Sequence, residues 1–172
     1  LYDIHKDAKR TDVGFEEMGV NIKNATIAIE DSEFYDHNGI RISSIIRAVL
    51  ANLLGTNRTQ GGSTITQQLI KNTLLTQEKS YTRKIKEWVL AIKLDKSMPK
   101  EKILEYYLNE NPYGGNVYGI QEASQTYFSK DPINLSLAES AYLAAIPQSP
   151  TTLSPFGKNK EKLETRKNLV LS

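Results

Sequence analysis

Gly61-Gly62-Ser63-Thr64-Ile65-Thr66-Gln67-Gln68-Leu69-Ile70-Lys71-Asn72 reads as a turn that opens a helix. Two adjacent glycines let the backbone approach a ligand closely. The free N–H groups of a helix start make a ready anion site. Thr64 followed by Gln67 fits a capping box. That explains two of the polar residues and leaves Gln68, Lys71 and Asn72, which fold-making alone does not require. Lys71 follows Gln67 by four residues, so both project from one helical face. The stretch reads as a site for something polar that bears phosphate. The plainer alternative is a flexible loop leading into a capped helix.

Outward from this stretch the pattern is helical. Ile22, Ala25, Ile29 and Phe34 form an apolar stripe that Gly39 would stop. Ile42, Ile45, Ile46, Val49 and Leu53 give a second helix closed by Gly55, and residues 57–62 form a polar loop. A third helix is expected over 64–75. A fourth covers 82–96, with Ile85, Trp88, Val89 and Ile92 inward, and Pro99 suits the first turn of a fifth over 101–109. Asn111-Pro112-Tyr113-Gly114-Gly115-Asn116 is a loop, followed by helix over 120–128. Ser136 and Glu139 form a capping box opening an alanine-rich helix that ends at Pro147, and 161–172 is helical again. Residues 1–20 are weakly patterned. The class is mostly α, in one compact domain.

Bulk properties narrow the chemistry. A chain of 172 residues, 39% hydrophobic and 24% charged, is an ordinary folded domain. A net charge of +2 is too small to argue for nucleic acid. The charge is segregated: residues 79–102 hold eight basic and three acidic side chains, and residues 30–36 hold four acidic and no basic ones. Such a division suits a carboxylate catalyst beside an anionic substrate, although two solvated helix faces explain the charge more simply. The absence of cysteine excludes disulfides and thiolate chemistry, and two histidines argue against a histidine-rich metal site. No apolar run approaches the roughly 20 residues that span a bilayer. The chain opens at Leu1 and closes inside an apparent helix, so we expect a piece of a longer protein whose membrane anchor lies elsewhere.

Two clusters carry the candidate chemistry. Glu30 and Asp31 follow an apolar run, and a carboxylate partly withdrawn from water becomes a better base near neutral pH. Phe34 and His37 fall on the same predicted helical face as Glu30. A surface carboxylate is an equal reading for Glu30, and capping or packing is the simpler reading for His37. Arg83, Lys84 and Glu87 form the second cluster, with the acid after the bases, the weaker order for a surface pair. Glu30 and Glu87 with Lys71 and Arg83 would suit glycosyl transfer from a phosphate leaving group: one carboxylate takes a proton and the cations meet the charge growing on phosphate. Glu139 reads as a cap partner and Glu105 as structural. Tyr113, Tyr118 and Tyr127 suit either a sugar groove or core packing.

Five segments, in order, resemble the peptidoglycan glycosyltransferase family, the transglycosylase domain of class A penicillin-binding proteins and monofunctional glycosyltransferases. They are Glu30-Asp31 through Phe34, His37 and Gly39; residues 61–72; Arg83-Lys84 with Glu87; Lys100 with Ile103-Leu104-Glu105 and Tyr107-Leu108-Asn109; and Leu137-Ala138-Glu139 through Pro147 and Pro150. The resemblance covers about residues 24–171. It implies a lysozyme-like helical domain with a smaller membrane-proximal lobe, residues 40–58, whose apolar helix suits partial lipid contact. The implied substrate is lipid II, joined into β-1,4-linked glycan with inversion at the anomeric carbon of a lipid-diphosphate-linked donor. By motif, Glu30 would be the base and Glu87 the second essential carboxylate. Lys71 and Arg83 would hold the diphosphate, and Ser63, Thr64, Gln67, Gln68, Asn72 and Lys84 would shape the donor site. Asp31 and His37 would assist. The family implies no prosthetic group; its members respond to Mg2+ or Mn2+, and Asp31 and Glu87 are the carboxylates that could meet such an ion. Expected surroundings are the extracytoplasmic face of a bacterial membrane, other cell-wall synthesis proteins and a transpeptidase domain in a longer chain. Departures are Glu110-Asn111-Pro112-Tyr113-Gly114, where an isoleucine-tyrosine-phenylalanine-glycine run is usual, and Ser129 in place of a glycine. A glycan hydrolase also suits two carboxylates, but it needs no diphosphate grip. A silent lipid II-binding module would not need both Glu30 and Glu87.

Overall fold

The computed structural model describes residues 10–43, 45–46, 62–75 and 80–172. Residues 42, 43, 45 and 46 are helical, as expected for the start of the second helix; the rest of that helix to Gly55, the loop at 57–61 and most of the 40–58 lobe lie outside the described residues. Among these, seven α-helices are named: α1 Val20–Glu30, α2 Ile65–Thr73, α3 Tyr81–Ser97, α4 Lys100–Glu110, α5 Ile120–Phe128, α6 Leu137–Ala145 and α7 Lys160–Leu171. The class is mostly α, as the periodicity predicts.

Local chemistry explains several of the helix starts. Thr64 caps α2 by accepting from the Gln67 N–H (3.2 Å), while the Gln67 side chain accepts from the Thr64 N–H (2.8 Å). Ser80 caps α3 and Ser136 caps α6 in the same manner, the latter completed by Glu139. Pro99 stands at the N-cap of α4, one position before the expected first turn.

Packing forms two linked groups. α1 lies on α6, and α6 on α7; α2 packs against both α3 and α4. The core joins them through Met18, Ile22, Phe34, Ile65, Leu104, Tyr107, Leu108, Ile120 and Leu143, all fully buried. Cutting one such aliphatic side chain to alanine costs about 2–5 kcal/mol.

Two expectations need correction. The first helix stops at Glu30; Phe34 is buried, but in a run of turns over 32–36, so Glu30, Phe34 and His37 do not share a helical face. The Asp31 side chain accepts the Ile65 N–H, which turns the chain away to meet the start of α2. In α3, Ile85 and Val89 are 57% and 47% exposed, while Glu87 and Ala91 face inward. An apolar stripe was visible there, but the neighbouring elements bury the adjacent face.

Gly39 fixes how the turn after α1 meets α3. Its φ is +84°, and an added Cβ would lie 2.5 Å from the Ala91 carbonyl oxygen. Only glycine allows both the conformation and the approach.

Candidate active site

Glu30 ends α1 with its side chain 8% exposed. One carboxylate oxygen accepts from Gln68 Nε2 at 2.7 Å, and the other meets Arg166 Nη2 at 2.6 Å. A carboxylate offers about four lone-pair sites, so two contacts leave each oxygen able to accept again. Gln68 projects from α2 and Arg166 from α7, so the carboxylate joins the two packing groups.

Asp31 is buried and serves the turn. Its Oδ2 accepts from Ile65 N–H (3.0 Å) and from His37 Nε2 (2.8 Å), and Arg41 Nε stands 3.5 Å from Oδ1. The Gly39 N–H donates to His37 Nδ1 at 3.1 Å. His37 thus joins the Gly39 backbone to Asp31, a structural part here. Lys100 Nζ donates to the His37 carbonyl (2.6 Å), pairs with Asp95 (2.9 Å) and lies over the Phe34 ring (4.8 Å). Thr66 donates to the same Asp95 oxygen at 2.9 Å. Four segments are thereby knotted behind Asp31.

The second cluster forms where α3 meets the lead into α2. Lys84 Nζ donates to Ser63 Oγ (3.0 Å) and pairs with Glu87 Oε1. Glu87 is 1% exposed, and its Oε2 has no hydrogen-bond partner among the described residues. The Arg83 Nε is likewise buried without one. Burying charge is costly unless it is paired. A polar ligand or ion would therefore gain at these two atoms, as it would at Asp31 Oδ1 and Arg41 Nε, which are buried without a hydrogen-bond partner among the described residues too.

The remaining predicted residues divide. Thr64 and Gln67 are buried, each spent on the α2 cap, with Thr64 Oγ1 also donating to the Gly39 carbonyl at 2.6 Å. Lys71 is exposed in the last turn of α2, one turn beyond Gln68. Asn72 donates to Asn111 Oδ1 at 3.1 Å, tying α2 to the loop after α4. The structure brings Glu30 to Gln68, and Lys84 to both Ser63 and Glu87.

The model of the family described as Transglycosylase matches residues 1–172. The chain belongs to the transglycosylase family. This transglycosylase is 46% identical over 159 residues to penicillin-binding protein 1F of Bacillus subtilis, covering 91% of the chain and 22% of that protein. It is 46% identical over 172 residues to penicillin-binding protein 1A of Clostridium tetani, covering 96% and 22%. Against penicillin-binding protein 1A of Aquifex aeolicus the identity is 45% over 171 residues, covering 99% and 23%. The chain spans about a fifth of the length of these curated relatives.

Sequence reading of this transglycosylase missed Arg166. It lies 136 residues from Glu30, in a helix with three other basic side chains, and nothing local distinguishes it. Tyr107 belongs to the fourth of the matching segments, and its hydroxyl contacts Gln68 at 3.2 Å. Glu105 and Glu139 have the structural parts expected of them. Glu105 accepts the Phe15 N–H at 3.3 Å. Glu139 accepts from Ser136 and Lys130. Tyr113 is fully buried, which assigns it to packing. Ser129 closes α5 at φ 54°, ψ 39°, the left-handed conformation that a glycine would adopt freely.

Among the described residues, no three acid or histidine side chains converge on a metal position, and no helix is long and apolar enough to cross a membrane.

Proposed function

We propose that this chain polymerises lipid II into β-1,4-linked glycan, using a lipid-diphosphate-linked strand as donor. The observation that carries the reading is the placement of Glu30. Its carboxylate is held at both oxygens yet retains free lone pairs, beside a helix whose lead-in residue Ser63 meets Lys84, which pairs in turn with Glu87.

In this reading the 4-hydroxyl of the incoming lipid II gives its proton to Glu30 as the oxygen attacks the anomeric carbon of the donor. The bond from that carbon to the diphosphate oxygen breaks, the carbon inverts, and the diphosphate leaves with the electron pair. Arg83 and Lys71 meet the charge that gathers on it. Glu87 holds Lys84 toward Ser63, so a buried carboxylate aims a cation at the donor side. Ser63, Gln68 and Asn72 border the donor; Thr64 and Gln67 act on it indirectly, by fixing the start of α2. Asp31 and His37 assist by anchoring the turn that carries Glu30.

A divalent ion such as Mg2+ or Mn2+ takes six or more oxygen ligands. Glu87, with one unsatisfied buried oxygen, fits as a single ligand to an ion held mainly by the diphosphate and water. When bound, such an ion would supply further neutralisation of the leaving group. Asp31 Oδ1 is also buried without a hydrogen bond among the described residues, but Arg41 Nε, 3.5 Å away, already faces it with a positive charge, which disfavours a cation there.

With lipid II as substrate, the activity would lie at the outer face of the bacterial membrane. In a longer chain the partners would be a transpeptidase domain and other wall-synthesis proteins.

Incubation with labelled lipid II in detergent tests the reaction. A ladder of lipid-linked glycans supports polymerisation. Soluble muropeptides released from preformed glycan would instead identify a hydrolase, and bound but unconverted lipid II would identify a binding module.

A further inference from the structure

Resting on the reading of Glu30 as the base, we propose that Tyr107 is a positioning residue that sets the direction of the Gln68 amide and, through it, the Glu30 carboxylate.

A glutamine amide has a donor end and an acceptor end, and its surroundings decide which way it points. The Tyr107 hydroxyl donates to Gln68 Oε1 at 3.2 Å, and Gln68 Nε2 donates to Glu30 Oε2 at 2.7 Å. With the oxygen end taken by Tyr107, the NH2 end is left for the carboxylate. An inverted amide would set one oxygen against another. Tyr107 is fully buried on α4, 39 residues from Gln68; its hydroxyl is hydrogen-bonded to the Gln68 amide and has Asn111 as a second polar neighbour. Burial, aided by the negative charge of Glu30, pushes its hydroxyl well above the ordinary tyrosine range, so it keeps its proton across working pH.

The charged and titratable groups facing Glu30 are Arg166 from α7, Tyr107 from α4 and Tyr113 from the turn that follows. Tyr113 supplies an internal control. It is also fully buried near Glu30, but its hydroxyl makes no hydrogen bond among the described residues. The two tyrosines share burial and differ in their polar contacts, which for Tyr107 are Gln68 and Asn111.

The test compares Tyr107→Phe and Tyr113→Phe with wild type and Glu30→Gln. The readouts are kcat and KM for lipid II between about pH 5 and 9, with melting temperatures alongside. Misplacing a reacting group by an ångström costs up to about 100-fold in rate; loss of one supporting contact should lower kcat in Tyr107→Phe about tenfold. KM should stay within about twofold, because lipid II itself loses no contact. The acid limb of kcat/KM should move to higher pH, since a held donor favours the ionised carboxylate. Tyr113→Phe should overlie wild type. Wild-type kcat and acid limb in Tyr107→Phe, with or without a lower melting temperature, would confine Tyr107 to packing and leave the base reading intact if Glu30→Gln is inactive. Normal turnover in Glu30→Gln would remove the base reading and this one with it. Equal loss in both tyrosine variants with an unmoved acid limb would also overturn the assignment.

Discussion

Arg166 Nη2 lies 2.6 Å from Glu30 Oε1, although 136 residues separate them in the chain. The guanidinium also donates from Nε to the Ala145 carbonyl at 3.1 Å. One side chain therefore fastens α7 to the end of α6 and to the last residue of α1. Both partners are largely shielded, at 15% and 8% exposure. A shielded, charge-assisted pair is much costlier to break on one side than a surface pair.

Arg166→Ala should therefore destabilise the fold by on the order of 2 kcal/mol and slow turnover, because Glu30 keeps only its Gln68 contact. Urea unfolding and lipid II turnover measure the two effects. A variant equal to wild type in both would show the pair to be inconsequential.

The Lys84–Glu87 pair should separate stability from activity. Lys84→Ala leaves Glu87 buried without its cation and should cost about 2 kcal/mol. Lys84→Met combined with Glu87→Leu should regain most of that stability, since apolar replacements avoid burying charge. The double variant should stay inactive. Recovery of activity in it would remove both residues from the site.

Ser129→Gly should stabilise the protein by about 0.5–1 kcal/mol. A non-glycine residue in the left-handed region costs roughly 1–2 kcal/mol, and glycine's greater freedom when unfolded returns part of it. Ser129 is exposed, so no packing is lost. A lower denaturation midpoint would contradict the assignment.

Glu139 contributes to acid stability. Lys130 first, and Ser136 next, hold its carboxyl down to about 2 from an ordinary 4.5. A carboxyl depressed on folding adds stability above its unfolded value and loses it as pH falls through the folded one. The effect is small, because the site is near the surface. Glu139→Gln should flatten the fall in stability between about pH 4.5 and 2, measured by urea unfolding across that window. An unchanged pH dependence would exclude it.

Much of this was legible in sequence where the determining contacts are local. The Thr64–Gln67 box and the Ser136–Glu139 box announce α2 and α6, because capping couples residues three apart. The inward face of α3 was not legible. Ile85 and Val89 form a true apolar stripe, but only tertiary neighbours decide that Glu87 is the buried side. The end of α1 escaped for a related reason: the periodicity ran on to Phe34, and the Asp31 contact to Ile65 that turns the chain spans 34 residues. Glu30, Glu87 and Lys84 were named from motifs. Arg166 and the Tyr107–Gln68 contact could come only from the folded chain.

In the proposed reaction Glu30 accepts the proton of the attacking hydroxyl. Its most direct test is single-turnover polymerisation of labelled lipid II by Glu30→Gln, with lipid II affinity and unfolding measured on the same preparation. Loss of a general base predicts a fall of about 100- to 10,000-fold, with affinity and fold retained. Turnover within about tenfold of wild type, in a folded variant that binds lipid II, would contradict it.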